Sequence, residues 1–195
     1  MEHYYSEKQK SPLKIKKIRQ KVHGIEFEFY TASGIFSKEK VDKGTLALAE
    51  NMIVNENDKV LDIGCGIGII GIVAAKLHNA NVVISDINKR AVMLAKKNVE
   101  LNRIEAEVYQ GNLYEKIKDN DFDVVLSNPP QTAGKEVCFQ LIEQSKNHLK
   151  TNGSLQLVAR HNKGGKTLNR KMQEVFGNIN VIAKKSGYCV YKSVK

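Results

Sequence analysis

The sequence predicts an α/β fold: a doubly wound, mainly parallel seven-stranded sheet with an antiparallel terminal hairpin. Three observations carry this. From Lys59 onward, short apolar runs rich in β-branched residues alternate with longer helical stretches, the pattern of strand–helix–strand units. Only Lys185-Ser186-Gly187 lie between the last two runs. That is too short for a helical crossover, so at least one strand must run antiparallel. The chain has 195 residues, enough for one well-cored domain.

The elements follow in order. Residues 1–24 are polar and basic and read as an arm or short appended element, and residues 25–195 as the folded domain. Ile25-Glu26-Phe27-Glu28-Phe29-Tyr30 alternates apolar and polar at period two, a strand signature. Residues 34–44 read as a loop and 45–53 as a helix. The sheet strands are expected at 60–63, 82–84, 108–109, 122–126, 155–158, 181–183 and 189–190. Helices are expected at 69–77, 89–101, 135–149 and 166–176. Open sheets of this kind bind ligands at the carboxyl ends of their strands, so functional residues should sit just after the apolar runs.

Composition excludes several classes. No stretch approaches the roughly 18 apolar residues of a membrane span, and the N-terminus lacks the apolar core of a secretory signal. The three cysteines, Cys65, Cys138 and Cys189, form no CxxC pair. This argues against a disulfide framework or zinc site and fits a reducing cytoplasm. Net charge is +10, from 31 basic and 21 acidic residues, which favours a polyanionic partner. Lys8, Lys10, Lys14, Lys16, Lys17, Arg19 and Lys21 form one basic group, with Glu7 its only acid. Lys163, Lys166, Arg170 and Lys171 form a second. Excess lysine can also serve solubility alone.

The first apolar run leads into Asp62-Ile63-Gly64-Cys65-Gly66-Ile67-Gly68-Ile69-Ile70-Gly71. Glycines let a turn take positive φ and let a ligand approach the backbone. Read alone, Gly66-x-Gly68-x-x-Gly71 also fits a dinucleotide fingerprint. Asp62 argues otherwise, because a carboxylate there repels a pyrophosphate but suits the cationic S-adenosylmethionine. The second run ends in Asp86, 18 residues after Gly68, near the spacing at which an acid meets ribose hydroxyls. Ile87 follows it. After the third run comes Asn112, placed to bond an adenine edge; its ordinary alternative is a turn residue.

The fourth run ends in Asn128-Pro129-Pro130. Proline fixes φ and lacks an N–H, so the chain stiffens as it leaves the sheet. Asn128 offers a side-chain carbonyl and Pro129 a backbone carbonyl. Two rigid acceptors suit an exocyclic base amine, whose lone pair is delocalised into the ring. They orient the two N–H groups and stabilise the positive charge that develops on nitrogen.

With these motifs, the chain resembles class I methyltransferases related to the small-subunit ribosomal RNA guanine-N2 methyltransferases. Three segments carry the resemblance: Gly34-Ile35-Phe36-Ser37 with Val41-Asp42-Lys43-Gly44-Thr45; Val60 to Gly68; and Asn128-Pro129-Pro130 with Ala133-Gly134-Lys135. In length the chain resembles the single-domain archaeal members. The resemblance implies a Rossmann-like fold and S-adenosylmethionine as cofactor, held by Asp62, Gly64, Cys65, Gly66 and Gly68, then by Asp86, Ile87, Asn112, Asn128 and Thr45. It implies Asn128, Pro129 and Pro130 as the catalytic turn, Phe36, Gln131 and Lys135 near the substrate base, and no metal. Ribosomal or transfer RNA would be the partner. The family pattern has an aromatic residue directly after Asn-Pro-Pro, where this chain has Gln131. Stacking on the base then falls to Phe36, Tyr30 or Tyr114, or the substrate differs. Adenine or cytosine amines and a protein glutamine amide remain as alternative acceptors, and an idle RNA-binding module as an alternative of another class.

Overall fold

The structure is a computed structural model that describes residues 12–33, 40–130 and 134–195. Seven strands form the main sheet: β3 (Lys59–Ile63), β4 (Asn81–Asp86), β5 (Ala106–Gln110), β6 (Phe122–Ser127), β7 (Leu149–Arg160), β8 (Asn180–Lys185) and β9 (Tyr188–Val194). Their spatial order is β5-β4-β3-β6-β7-β9-β8. Pairings among β5, β4, β3, β6 and β7 are parallel, and β9 runs antiparallel to both its neighbours. The chain order reverses direction at β3, which creates the crevice where such sheets bind ligands.

Buried parallel strands show apolar side chains on both faces, and this sheet has two cores. Val60, Ile84, Val124 and Leu126 pack under α1 (Lys43–Ala49), α2 (Ile69–His78) and α3 (Lys89–Leu101). Leu61, Val83, Val125 and Leu157 pack under α4 (Lys135–His148) and α5 (Lys166–Phe176). Two helix starts have side-chain caps of the usual kind. Asp42 accepts from Thr45 N at 2.8 Å, and Asn88 accepts from Arg90 N at 2.9 Å and Ala91 N at 3.2 Å.

The segment expected as a basic arm is, from residue 15 on, a strand. β1 (Ile15–Val22) pairs antiparallel with β2 (Ile25–Ala32) in a separate two-stranded sheet. The connecting turn has His23 at φ 48° and Gly24 at φ 81°, the double-positive geometry of a tight hairpin. A lone hairpin is marginal in water, and here α3 holds it. Asn98 accepts from Tyr30 N at 2.6 Å, and its Nδ2 donates to Tyr30 O and Ile67 O at 3.0 and 2.9 Å. One helical turn on, Asn102 Nδ2 donates to Glu28 O at 2.8 Å. The two amides thus stand in for a missing neighbour strand along β2. The first helix begins two residues earlier than expected, at Lys43, because Asp42 caps it, and ends at Ala49, four residues short of the expected 53, where Gln156 of β7 takes the backbone N–H and C=O of Ile53. No helix among the described residues is long and apolar enough to cross a membrane. All three cysteines are free and buried.

Candidate active site

A cavity of about 210 Å³ opens at the carboxyl ends of β3, β4, β5 and β6. Gly64, Cys65 and Gly66 form its floor, Asp86 and Ile87 one wall, and Asn112 and Leu113 the next. Asp42, Thr45, Asn128, Pro129 and Pro130 close the far side. Gly64 and Gly66 have φ of 69° and 58°, and a Cβ on either would meet nothing within 4 Å. The loop therefore leaves an open cradle of exposed backbone that a ligand can approach.

Gly68 serves another purpose than the one expected. It lies outside the cavity lining, and a Cβ there would sit 3.3 Å from Ala95 Cβ on α3. It lets two helices pack closely at the start of α2. Asp62 also lies beneath the loop and not in the lining. It is fully buried, and its Oδ2 accepts from Gly71 N at 2.9 Å. The first turn of α2 has no side-chain cap, so its free N–H groups draw the carboxylate inward. Its Oδ1 is buried without a partner among the described residues. Burial pushes the Asp62 carboxyl up to about 7.

Asp86 Oδ2 accepts from Gly66 N at 2.7 Å and Oδ1 from Asn88 N at 2.8 Å. These bonds fix the carboxylate at the end of β4 and leave lone pairs on both oxygens. Burial raises its carboxyl to about 6, against the backbone N–H groups of Asn88, Gly66 and Ile87, which lower it. Burial, with Asp86 and Asp62 nearby, also pushes the Cys65 thiol up. Cys65 is therefore a neutral packing group and no nucleophile.

Asn128 sits where β6 ends. Its Nδ2 donates to Asp42 Oδ2 at 2.9 Å and to Thr45 Oγ1 at 3.0 Å. Asp42 is also bonded by Thr45 Oγ1 at 3.2 Å and by Tyr188 Oη at 3.3 Å. A carboxylate only accepts, so Asp42 decides which end of the Asn128 amide faces it. The Nδ2 hydrogens point back into the network, and the carbonyl Oδ1 is left as the acceptor on the other side. Tyr188 packs so closely on the start of α1 that a Cβ on Gly44 would lie 2.7 Å from its ring. Its phenol is raised, first by burial and then by the Asp42 charge. Arg160 lies over the same ring at 5.6 Å.

Asp42 and Tyr188 join the site without standing in any of the strand-end motifs. A capping signal in Asp42-Lys43-Gly44-Thr45 was available; nothing in the sequence marks Tyr188, which arrives from the reversed strand. Lys135 is exposed in the first turn of α4, where Val137 lines the cavity instead. Phe36 and Gln131 lie outside the described residues. Two of the three expected stacking aromatics are placed elsewhere. Tyr114 is buried on the opposite core, stacked on His148, with its hydroxyl on Leu141 O at 3.1 Å. Tyr30 packs against the hairpin core under Lys17.

A sheet wound in this order, with its crevice at the carboxyl ends of the parallel strands and a reversed strand near one edge, is the class I, Rossmann-like methyltransferase fold. The chain belongs to the methyltransferase small domain family, whose sequence profile matches residues 26–192. It is 35% identical to an uncharacterized protein, YbxB, of Bacillus subtilis, over all of this chain and 98% of that one. It is 34% identical over 171 residues to a ribosomal RNA small subunit methyltransferase C of Haemophilus influenzae, covering 85% of this chain and 50% of that protein. Among solved structures, the Thermus thermophilus 16S rRNA N2 G1207 methyltransferase, in complex with AdoMet and guanosine, superposes with a TM-score of 0.85. The identity is 24%, covering 95% of this chain and 51% of that one. The chain thus spans about half the length of these ribosomal RNA methyltransferases.

Proposed function

We propose that the chain transfers a methyl group from S-adenosylmethionine to an exocyclic amine of an RNA base, guanine N2 in ribosomal or transfer RNA. The observation that carries this is the Asn128 amide, locked by Asp42 and Thr45 with its carbonyl oxygen left as acceptor. The residues present fit the donor. The Gly64–Gly66 cradle exposes backbone with open space above it, and Asp86 keeps free lone pairs at ribose-binding spacing. The unpartnered Asp62 Oδ1 leaves a polar acceptor beneath the loop. When bound, S-adenosylmethionine supplies an electrophilic methyl group on a sulfonium.

The chain's own residues do the rest. Asn128 Oδ1 and the Pro129 carbonyl accept the two N–H groups of the target amine and hold its lone pair toward the donor side. Both acceptors are fixed before substrate arrives, so their dipoles stabilise positive charge on nitrogen without rearranging. No strong base is needed, because the nitrogen becomes acidic once alkylated and loses its proton to water. Net charge of +10 supports a polyanionic substrate and a basic contact surface. The resemblance to enzymes named as ribosomal RNA methyltransferases supports guanine in RNA.

The test is methyl transfer from labelled S-adenosylmethionine into total RNA and, in parallel, into a protein extract, followed by nucleoside analysis. Label in N2-methylguanosine is the expected result. Label in another base would move the reading to adenine or cytosine. Label in protein alone would sink it in favour of an amide acceptor.

A further inference from the structure

The rim that carries Asn128 continues past β6 to the ends of β7 and β8. β8 runs in the same direction as β7, since both are antiparallel to β9. Arg160 ends β7, Lys184 lies near the end of β8, and Lys166 opens α5. Between α5 and the β9–β8 pair runs a groove lined by His161, Lys166, Asn169, Arg170, Lys184 and Tyr191. No carboxylate lines it among the described residues.

Several surface cations elsewhere are matched by carboxylates. Lys17 and Arg19 share Glu28, Lys59 pairs with Asp119 and Asp121, Lys150 with Asp123, and Lys185 with Glu50. Helix α5 shows the contrast within one element. Lys171, on its other side, pairs with both Glu143 and Glu174. Lys166 and Arg170, on the groove side, have no ion pair among the described residues, nor do Arg160, Lys163 and Lys184. The groove also connects to the site: Arg160 lies over Tyr188, Tyr188 bonds Asp42, and Asp42 holds Asn128. From β6 to β8 is three strand spacings, roughly 14 Å, a distance a few nucleotides cross.

We propose that this groove, with Arg160 at its mouth, holds the phosphate backbone of the RNA strand beside the target base. The inference rests on the RNA reading above and names the surface that reading requires. Phosphate contacts of this kind position a strand without reading its sequence.

The test uses the full chain and a fluorescein-labelled single-stranded RNA oligonucleotide, followed by anisotropy between roughly 50 and 200 mM KCl. The groove variant is Lys166→Gln with Arg170→Gln and Lys184→Gln, all three exposed. The charge-matched control is Lys118→Gln with Lys150→Gln and Lys195→Gln, at the opposite rim. The groove variant should lose about tenfold or more in affinity, with a salt slope shallower by about 2 for three lost contacts. The control should bind as wild type, and both should bind S-adenosylmethionine as wild type by calorimetry. Unchanged affinity and slope in the groove variant, or equal losses in both variants, would overturn the groove assignment while leaving the RNA reading intact. Competition by polyglutamate as effective as that by unlabelled RNA would also overturn it, in favour of an acidic protein partner. Failure of wild type to bind any RNA, with donor binding intact, would remove the RNA reading and the groove with it.

Discussion

The catalytic turn depends on one amide whose orientation is set by a neighbour. Asn128→Ala removes the transition-state acceptor and should cut turnover about 10²-fold, or roughly 2.7 kcal/mol, while donor affinity by calorimetry stays near wild type. Equal losses in both would contradict the role. Asp42→Asn tests the orientation separately. Asparagine caps a helix as well as aspartate does, so stability should hold. Its amide can donate as well as accept, so Asn128 is free to flip and kcat should fall about tenfold with little change in KM. Asp86 adds a pH dependence. Its carboxyl lies at about 6 in the folded chain, so it is ionised above that value and protonated below. Donor affinity, carried by the ionised form, should fall about tenfold as pH drops from about 7.5 to about 5. Titration calorimetry across that window checks it, and a flat profile would take Asp86 out of the ribose site.

At the scale of elements, the hairpin is held by side chains and not by the main sheet. Asn98 and Asn102 on α3 bond the backbone of β2 at Tyr30 and Glu28. Asn98→Ala leaves the Tyr30 N–H and two carbonyls without partners and should cost about 2–3 kcal/mol in chemical denaturation. Because Asn98 also bonds Ile67 O in the glycine loop, the same variant should weaken donor binding. A similar device ties the segment after the first helix to the sheet, where Gln156 accepts from Ile53 N at 2.8 Å and its Nε2 donates to Ile53 O at 2.7 Å. Neither pairing is visible in a periodicity, because an asparagine or glutamine inside an apolar stripe reads as an interruption.

For the molecule as a whole, the site is assembled from both ends of the chain. Asp42 comes from before the sheet, the glycine loop and Asp86 from its first half, Asn128 from β6, and Tyr188 from the last strand. A ligand that bridges these elements should stabilise the fold globally. S-adenosylmethionine at about 100 times its Kd should add about 2.7 kcal/mol and raise Tm by roughly 5–10 °C. NAD at the same concentration should raise it little, and an equal shift would restore the dinucleotide reading of the glycine loop.

What the sequence by itself determined was the sheet and the position of its loops. β-branched runs and helical periods are local, so the seven strands and the helices α2 to α5 could be read within a residue or two at most ends. So could the residues that follow the strand ends, because a crevice at those ends is a property of the topology. The tertiary structure alone decided which of them face the cavity. Asp62 and Gly68 belong to the motif yet lie outside the lining, one drawn to a helix start and the other pressed on α3. Tyr114 follows β5 yet is buried on the far core. Asp42 and Tyr188 are 146 residues apart and meet only because β9 turns back beside β7. Which side chains share a site is a matter of long-range packing, and no local pattern in the chain encodes it.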